Sequence, residues 1–187
     1  MSLQTITFVS FGAFDRELLE KTAEAVAEEY HCAITIRDGH IDLSEYFDAA
    51  RRQYNGNALI KVVQLLSFPE SDKTLAFFNV DLFVPILTFI FGQAYLGGNA
   101  GIVSMYRLDN KRYGMPKNNQ LLLERLIKEA NHELGHTLGL IHCKEPLCVM
   151  HSSTYVEDID QKSRHVCNKC HDEFLAKQNS HQNSGGS

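Results

Sequence analysis

Tryptophan is absent from this 187-residue chain, and proline occurs only four times. No apolar run approaches the roughly 18 to 20 residues that a membrane-spanning helix needs, which excludes a helical span on length alone. Eighteen basic residues against 23 acidic ones give a net charge of −5, and no long basic run interrupts the balance. Nucleic acid and anionic lipid therefore lose the electrostatic footprint that would mark them as partners. The opening MSLQTITFVS lacks a basic segment and a small-residue cleavage site, so a cytoplasmic location is expected. What is present is an ordinary globular composition, 44% hydrophobic and 22% charged, enough for one domain with a small appendage and expected to act as a monomer. The cysteines are uneven: Cys32 stands alone, while Cys143, Cys148, Cys167 and Cys170 crowd the last quarter. In a reducing compartment such clustering favours a metal over disulfides.

Hydrophobic periodicity predicts an α/β chain. TITFVSFG alternates as a strand, Leu18, Thr22, Val26 and Tyr30 recur at helical spacing, and CAITIRD is again a strand, which together make a βαβ unit. EYFDAARRQYNGN reads as a loop closing on a turn at Asn55-Gly56-Asn57, and ALIKVVQLLSF as a second helix running to Pro69. KTLAFFNVDLF suits a buried strand, and TFIFGQAYL and IVSMYRL, joined by GGNAG, suit an antiparallel pair. A mixed sheet of about five strands follows. A long helix is expected from Asn119 to Leu138, with Leu123, Ile127, Ala130, Leu134 and Leu138 facing the core. The polar end, residues 176–187, reads as a disordered tail.

The stretch HELGHTLGLIHCKEPLCVM, from His132 to Met150, carries the chemistry. His132 and His136 are one helical turn apart, so both imidazoles can grip one ion, and Glu133 projects toward the same cleft without entering the metal's coordination sphere, where a general base is needed. A bare HExxH arises by chance in about one chain of this length in a few hundred, so alone it is only suggestive. Here it extends to Gly139 and His142, the longer HExxHxxGxxH form. A helix continued through residue 142 would carry that histidine to the far side, whereas a glycine in the left-handed conformation ends the helix and lets His142 swing back as a third ligand. Three neutral imidazoles leave a fourth zinc position open, as in catalytic sites. Glu129, one turn before His132, is one conceivable anchor for a substrate amine, though a solvated helix charge is the commoner role for such a residue.

Cys143 and Cys148 enclose four residues, and Cys167 and Cys170 form a CxxC. Two close pairs of thiolates are the usual supply for a closed tetrahedral structural zinc, with disulfides and free thiols as the alternatives. Cys143 follows His142 directly, so two metal sites would share a hinge. Cys148 lies two residues before Met150, so the second zinc would clamp the floor of the first. Cys32 reads as a buried small hydrophobe.

The extended zinc motif followed by Met150 resembles the metzincin clan of metallopeptidases, in which a methionine-containing turn underlies the metal. Its combination with Cys143, Cys148, Cys167 and Cys170 resembles one branch, the archaemetzincins. Met150 and the CxxC are one residue closer here than in the family's pattern, and Ser152 stands where many clan members carry a tyrosine that assists the reaction; Tyr155 is nearby, with simple packing as the alternative role. The resemblance implies an α/β (α+β) zincin fold: a twisted mixed sheet with an antiparallel edge strand, for which GQAYLGG is the candidate, a long active-site helix and a small zinc-stapled C-terminal part. Residues 1–142 would form the sheet subdomain with that helix, and residues 143–175 the subdomain holding the cysteine zinc. It also implies a zinc metallopeptidase with two Zn²⁺ per chain, one on His132, His136 and His142 and one on the four cysteines, Glu133 as general base, and oligopeptide or aminopeptidase-type substrates. The rival readings are a catalytically idle, zinc-stabilised module that binds peptides or proteins, and a redox or zinc sensor built on the cysteines.

Overall fold

The computed structural model describes residues 4–66, 68 and 71–183, with side chains described to residue 179. The expected βαβ unit opens the chain: β1 (Thr5–Phe11), α1 (Arg16–Tyr30) and β2 (Ala33–Gly39), with β1 and β2 parallel from Thr5 opposite Ala33. Asp15 starts α1 by accepting the Leu18 N–H at 3.2 Å, satisfying one of the donors that a helix leaves unpaired in its first turn.

The segment read as a loop before the second helix instead holds two short strands, β3 (Phe47–Asp48) and β4 (Gln53–Asn55), which with β6 (Leu82–Phe83) make a small second sheet. Two- and three-residue strands carry no legible period, which is why the sequence pattern misses them. Asn55, expected in a turn, caps α2 (Gly56–Leu65) by accepting the Ala58 N–H. The expected end of that helix at Pro69 lies outside the described residues.

β5 (Lys73–Phe78), β7 (Gly92–Ala94) and β8 (Ala100–Ser104) complete the main sheet in the order β2-β1-β5-β8-β7. Four strands run parallel, and β7 pairs antiparallel with β8 at the edge, as GGNAG predicts. Alternation decides the two faces. Leu75 and Phe77 join Phe8, Val103 and the buried faces of α1 and α3 (Asn119–Thr137), while Ala76 and Phe78 join Val9, Ile102 and α2.

α3 departs from the simple amphipathic expectation. Leu123 is only half-buried and Leu126 takes its place in the core, and from Arg125 to Thr137 nearly every side chain is buried. The cause is that α3 is enclosed: the sheet packs on one side and the cysteine-rich segment on another, with Cys148, Val149, Met150, Val156, Ile159 and Phe174 in the same core. Arg125, 2% exposed, fixes this arrangement by bonding both oxygens of Asp160 at 2.7 Å and the Leu108 carbonyl at 2.8 Å. α4 (Val156–Gln161) and α5 (Asn168–Asn183) close the chain. Residues 176–183, expected in a disordered tail, continue α5, and Gln178 bonds Gln4 at 3.0 Å; residues 184–187 lie outside the described residues. No described helix is long and apolar enough to cross a membrane.

Candidate active site

The end of α3 builds the site. Gly139 takes φ +91°, its N–H donates to the His136 carbonyl and that of Leu140 to Gly135, both at 2.9 Å. These two bonds are the Schellman pattern that stops a helix and reverses the chain. His142 is thereby returned toward the helix, and ligand nitrogens of His132, His136 and His142 lie within 4.8 Å of one another.

The imidazoles are held from behind. His132 Nδ1–H donates to the Val149 carbonyl and His136 Nδ1–H to that of Leu140, each at 2.8 Å. A carbonyl only accepts, so both rings carry their proton on Nδ1 and present a bare Nε2. Those two Nε2 atoms stand 3.1 Å apart. Two lone pairs facing each other at that distance repel unless a cation lies between them, and about 3.3 Å is the edge expected for two nitrogens on one tetrahedral zinc. Burial holds all three histidines below their ordinary pKa, His132 farthest, with the nearby Lys162 ammonium adding to the effect. Neutral imidazoles are the form that binds metal. The donor set therefore fits a zinc ion.

Around the histidines lies a cleft of about 330 Å³. One wall is the edge of the sheet, Gly92 to Ala94, with Leu87, Phe89 and Phe91 from the preceding loop; the other is Ser152 to Thr154. Glu133 is 4% exposed, and its Oε2 has no hydrogen-bond partner. Gly92 lies against it, for a Cβ there would come within 2.7 Å of Glu133 Cγ. Burial, followed by repulsion from Glu129, raises the Glu133 pKa well above the carboxylate range. Beneath α3, Met150 is fully buried, and a side chain on Gly135 would overlap its sulfur.

Glu129 is 4% exposed and lines the cleft beside Glu133, so it is not the solvated helix charge that its sequence context suggests. Its pKa is raised by burial, against the pull of Lys162. Lys162 is the residue that sequence reasoning missed. It is 3% exposed in the cleft wall, donates to the His151 carbonyl at 2.9 Å and lies 3.5 Å from His132 Nδ1. In DQKSRH it looks like any surface lysine, and no local signal marks it. Glu129 did carry a signal, since it precedes Glu133 by one turn on the same face. Tyr155 is 63% exposed and outside the cleft lining, ahead of α4, where its N–H donates to Asp158.

The four cysteines converge as well. Their sulfurs lie within 4.8 Å of one another, with Cys143 to Cys167 and Cys148 to Cys170 both 3.8 Å. That is nearly twice a disulfide bond of about 2.05 Å and matches the edge of about 3.8 Å of a zinc tetrathiolate with Zn–S near 2.3 Å. Cys32 stands apart in the core, where burial pushes its thiol up to about 11.

Comparison with known proteins agrees with this architecture. Residues 18–176 match the model of peptidase family M54. The chain is 43% identical to the archaemetzincin of Pyrococcus abyssi over 136 residues, which covers 71% of this chain and 72% of that one. It is 33% identical to the archaemetzincin of Thermococcus kodakarensis over 179 residues, 92% and 96% of the two chains. The crystal structure of archaemetzincin from Methanopyrus kandleri superposes with a TM-score of 0.84 at 30% identity, covering 95% of this chain and 96% of that one. With the family model spanning most of the sequence and the zincin architecture in place, the chain belongs to peptidase family M54, the archaemetzincins, a family of zinc metallopeptidases.

Proposed function

We propose that His132, His136 and His142 hold a catalytic zinc, that Cys143, Cys148, Cys167 and Cys170 hold a structural one, and that Glu133 is the general base of peptide-bond hydrolysis on oligopeptide or aminopeptidase-type substrates. One observation carries the reading: a buried carboxylate with an unpaired oxygen stands beside three imidazoles whose ligand nitrogens converge in an open cleft. A zinc ion held by His132, His136 and His142 would supply Lewis acidity toward the attacking water and the scissile carbonyl.

The chain's own groups do the rest. Glu133, desolvated on α3 against Gly92, takes the proton of the attacking water and passes it to the leaving amine. Burial and the neighbouring Glu129 favour its protonated form, so it can hold the proton between the two transfers. The Val149 and Leu140 carbonyls keep two of the ligands in one tautomer and orientation through the cycle. Met150 forms the apolar floor under Gly135.

The test is Glu133→Gln, which keeps shape and removes the base. Cleavage of a mixed peptide library, read by mass spectrometry, should fall by roughly 10²- to 10⁴-fold while zinc content stays the same. Retained turnover would overturn the assignment. Peptide binding without cleavage by the zinc-loaded wild type would make the chain a binding module.

A further inference from the structure

Beyond Glu133 the cleft ends on a wall of polar groups that the hydrolytic step does not use. Glu129 shares a side-chain hydrogen bond with Glu133, its one hydrogen-bond partner among the described residues, which leaves further acceptor capacity on its carboxylate. Lys162 gives one hydrogen bond, to the His151 carbonyl. The His132 Nδ1 beside it is itself a donor, so the His151 carbonyl is the one hydrogen-bond acceptor that Lys162 has among the described residues. Ser153, on the same wall, has a buried hydroxyl with no partner. A buried ion or hydroxyl without partners is costly, and sites of this kind are satisfied by what enters them. Opposite stand Leu87, Phe89 and Phe91, an apolar wall suited to methylene groups.

We propose that Glu129 and Lys162 form a donor-and-acceptor pair that selects a carboxamide side chain, glutamine or asparagine, at the substrate residue immediately after the cut. The inference rests on the reading of Glu133 as the base: Glu133 hands its proton to the leaving amine, so the leaving half of the peptide passes on its side of the histidines, over Glu129. A carboxamide donates N–H to Glu129 and accepts from Lys162, and its methylenes meet the phenylalanines. A cationic side chain meets Lys162, an anionic one meets Glu129, and an apolar one offers a hydrogen bond to neither.

The test uses peptides of one sequence that differ only at the residue after the cut: Gln, Glu, Lys or Met, with the cut position verified by mass spectrometry. For the wild type, kcat/KM for the Gln peptide should exceed that for each other peptide by roughly 10- to 100-fold, the scale on which sites built for hydrogen bonds reject a misfit. In Lys162→Met the preferred residue should move to Lys, and in Glu129→Gln to Glu. A wild-type optimum at Met, Glu or Lys would overturn the proposal, as would profiles that neither variant alters. Binding provides a second measurement, by calorimetry on the Glu133→Gln protein: the Gln peptide should bind more tightly than the Met peptide, and adding Lys162→Met should remove the difference. If the wild type cuts nothing while that binding difference holds, the pocket stands and the hydrolytic reading falls. If all four peptides are cut equally, the hydrolytic reading stands and the pocket falls.

Discussion

The histidine and cysteine clusters meet at one peptide bond, between His142 and Cys143, yet the chain builds them in opposite ways. The histidines come from one helix and the turn that ends it, and they face a cleft lined with unpaired polar groups. The cysteines come from two segments well apart in sequence and face one another, and the Glu145 and Cys167 N–H groups point at their sulfurs. Only the first arrangement opens on a cleft with room for a substrate, and only the second offers four ligands, the complete set that a structural site would use. Dependence between them runs one way. His142 adjoins Cys143, the carbonyl that orients His132 belongs to the residue after Cys148, and Cys143 N–H holds the Met150 carbonyl at 2.9 Å. No sulfur takes a hydrogen bond from a histidine of the cleft.

That asymmetry is broken most forcefully at Cys170. Cys170→Ser should empty the cysteine site and, by loosening the loop from Cys143 to Met150, weaken the histidine site too, so metal content should fall from two zincs toward none. Apparent binding energies of structural zinc, on the order of 10 kcal/mol, rival the whole stability of a domain, so the largest drop in melting temperature is expected here. His136→Ala should lose one zinc and keep the other. Elemental analysis of both proteins settles the direction; a Cys170→Ser protein that keeps a fully occupied histidine site would show the two to be independent.

Arg125→Met removes a tie that belongs to neither cluster. It removes the buried guanidinium and leaves Asp160, which is solvent-exposed, without its bidentate partner, with an expected cost of about 1.5 to 3 kcal/mol for the lost charged hydrogen bonds. Chemical denaturation should record that loss with the metal count still at two; a lost zinc would mean that the tie between α3 and α4 supports a metal site directly. Smaller effects are expected at the two close approaches. Gly135→Ala forces a methyl group against Met150 and Tyr30, at an expected cost of roughly 1 to 3 kcal/mol. Gly92→Ala pushes on Glu133 instead, so it should lower kcat more than it lowers the melting temperature. Equal melting losses with unchanged kcat in both variants would remove the distinction between floor and base.

How much of this could be read in the sequence follows the same division. The histidine site was legible because its geometry is local: one helical turn separates His132 from His136, and one glycine turns the chain back to His142. The cysteine cluster was legible from spacing in two pairs, and β7 from the glycine-rich connection to β8. Burial was much less legible. Glu129 and Arg125 are polar residues on a helix that amphipathic reasoning exposes on one face, and they are enclosed only because the C-terminal segment packs over them. Lys162 reaches the cleft from thirty residues beyond His132, a placement that depends on the path of the chain after Met150 and leaves no periodic trace.

The smallest expected effect concerns acid. Burial keeps the His132 imidazole well below its ordinary pKa in the folded chain, whereas in the unfolded chain it titrates near 6.5. Between the two values the unfolded chain binds the additional proton, so stability from this group is complete above about pH 6.5 and is lost as pH falls toward the folded value, by up to about 1.4 kcal/mol per pH unit. Glu133 and Glu129 act in the opposite sense: their raised folded values penalise the fold at neutral pH, and that penalty shrinks as they protonate. Because the two contributions oppose each other, the total slope is uninformative and the histidine part must be isolated. With a single equivalent of zinc, taken up by the closed thiolate site, melting temperature should fall more steeply from pH 7.5 to 5 in the wild type than in His132→Asn, which has no imidazole to protonate there. Parallel slopes would mean that His132 takes up its proton as easily folded as unfolded, and its surroundings would then be far wetter than the 6% exposure of His132 allows.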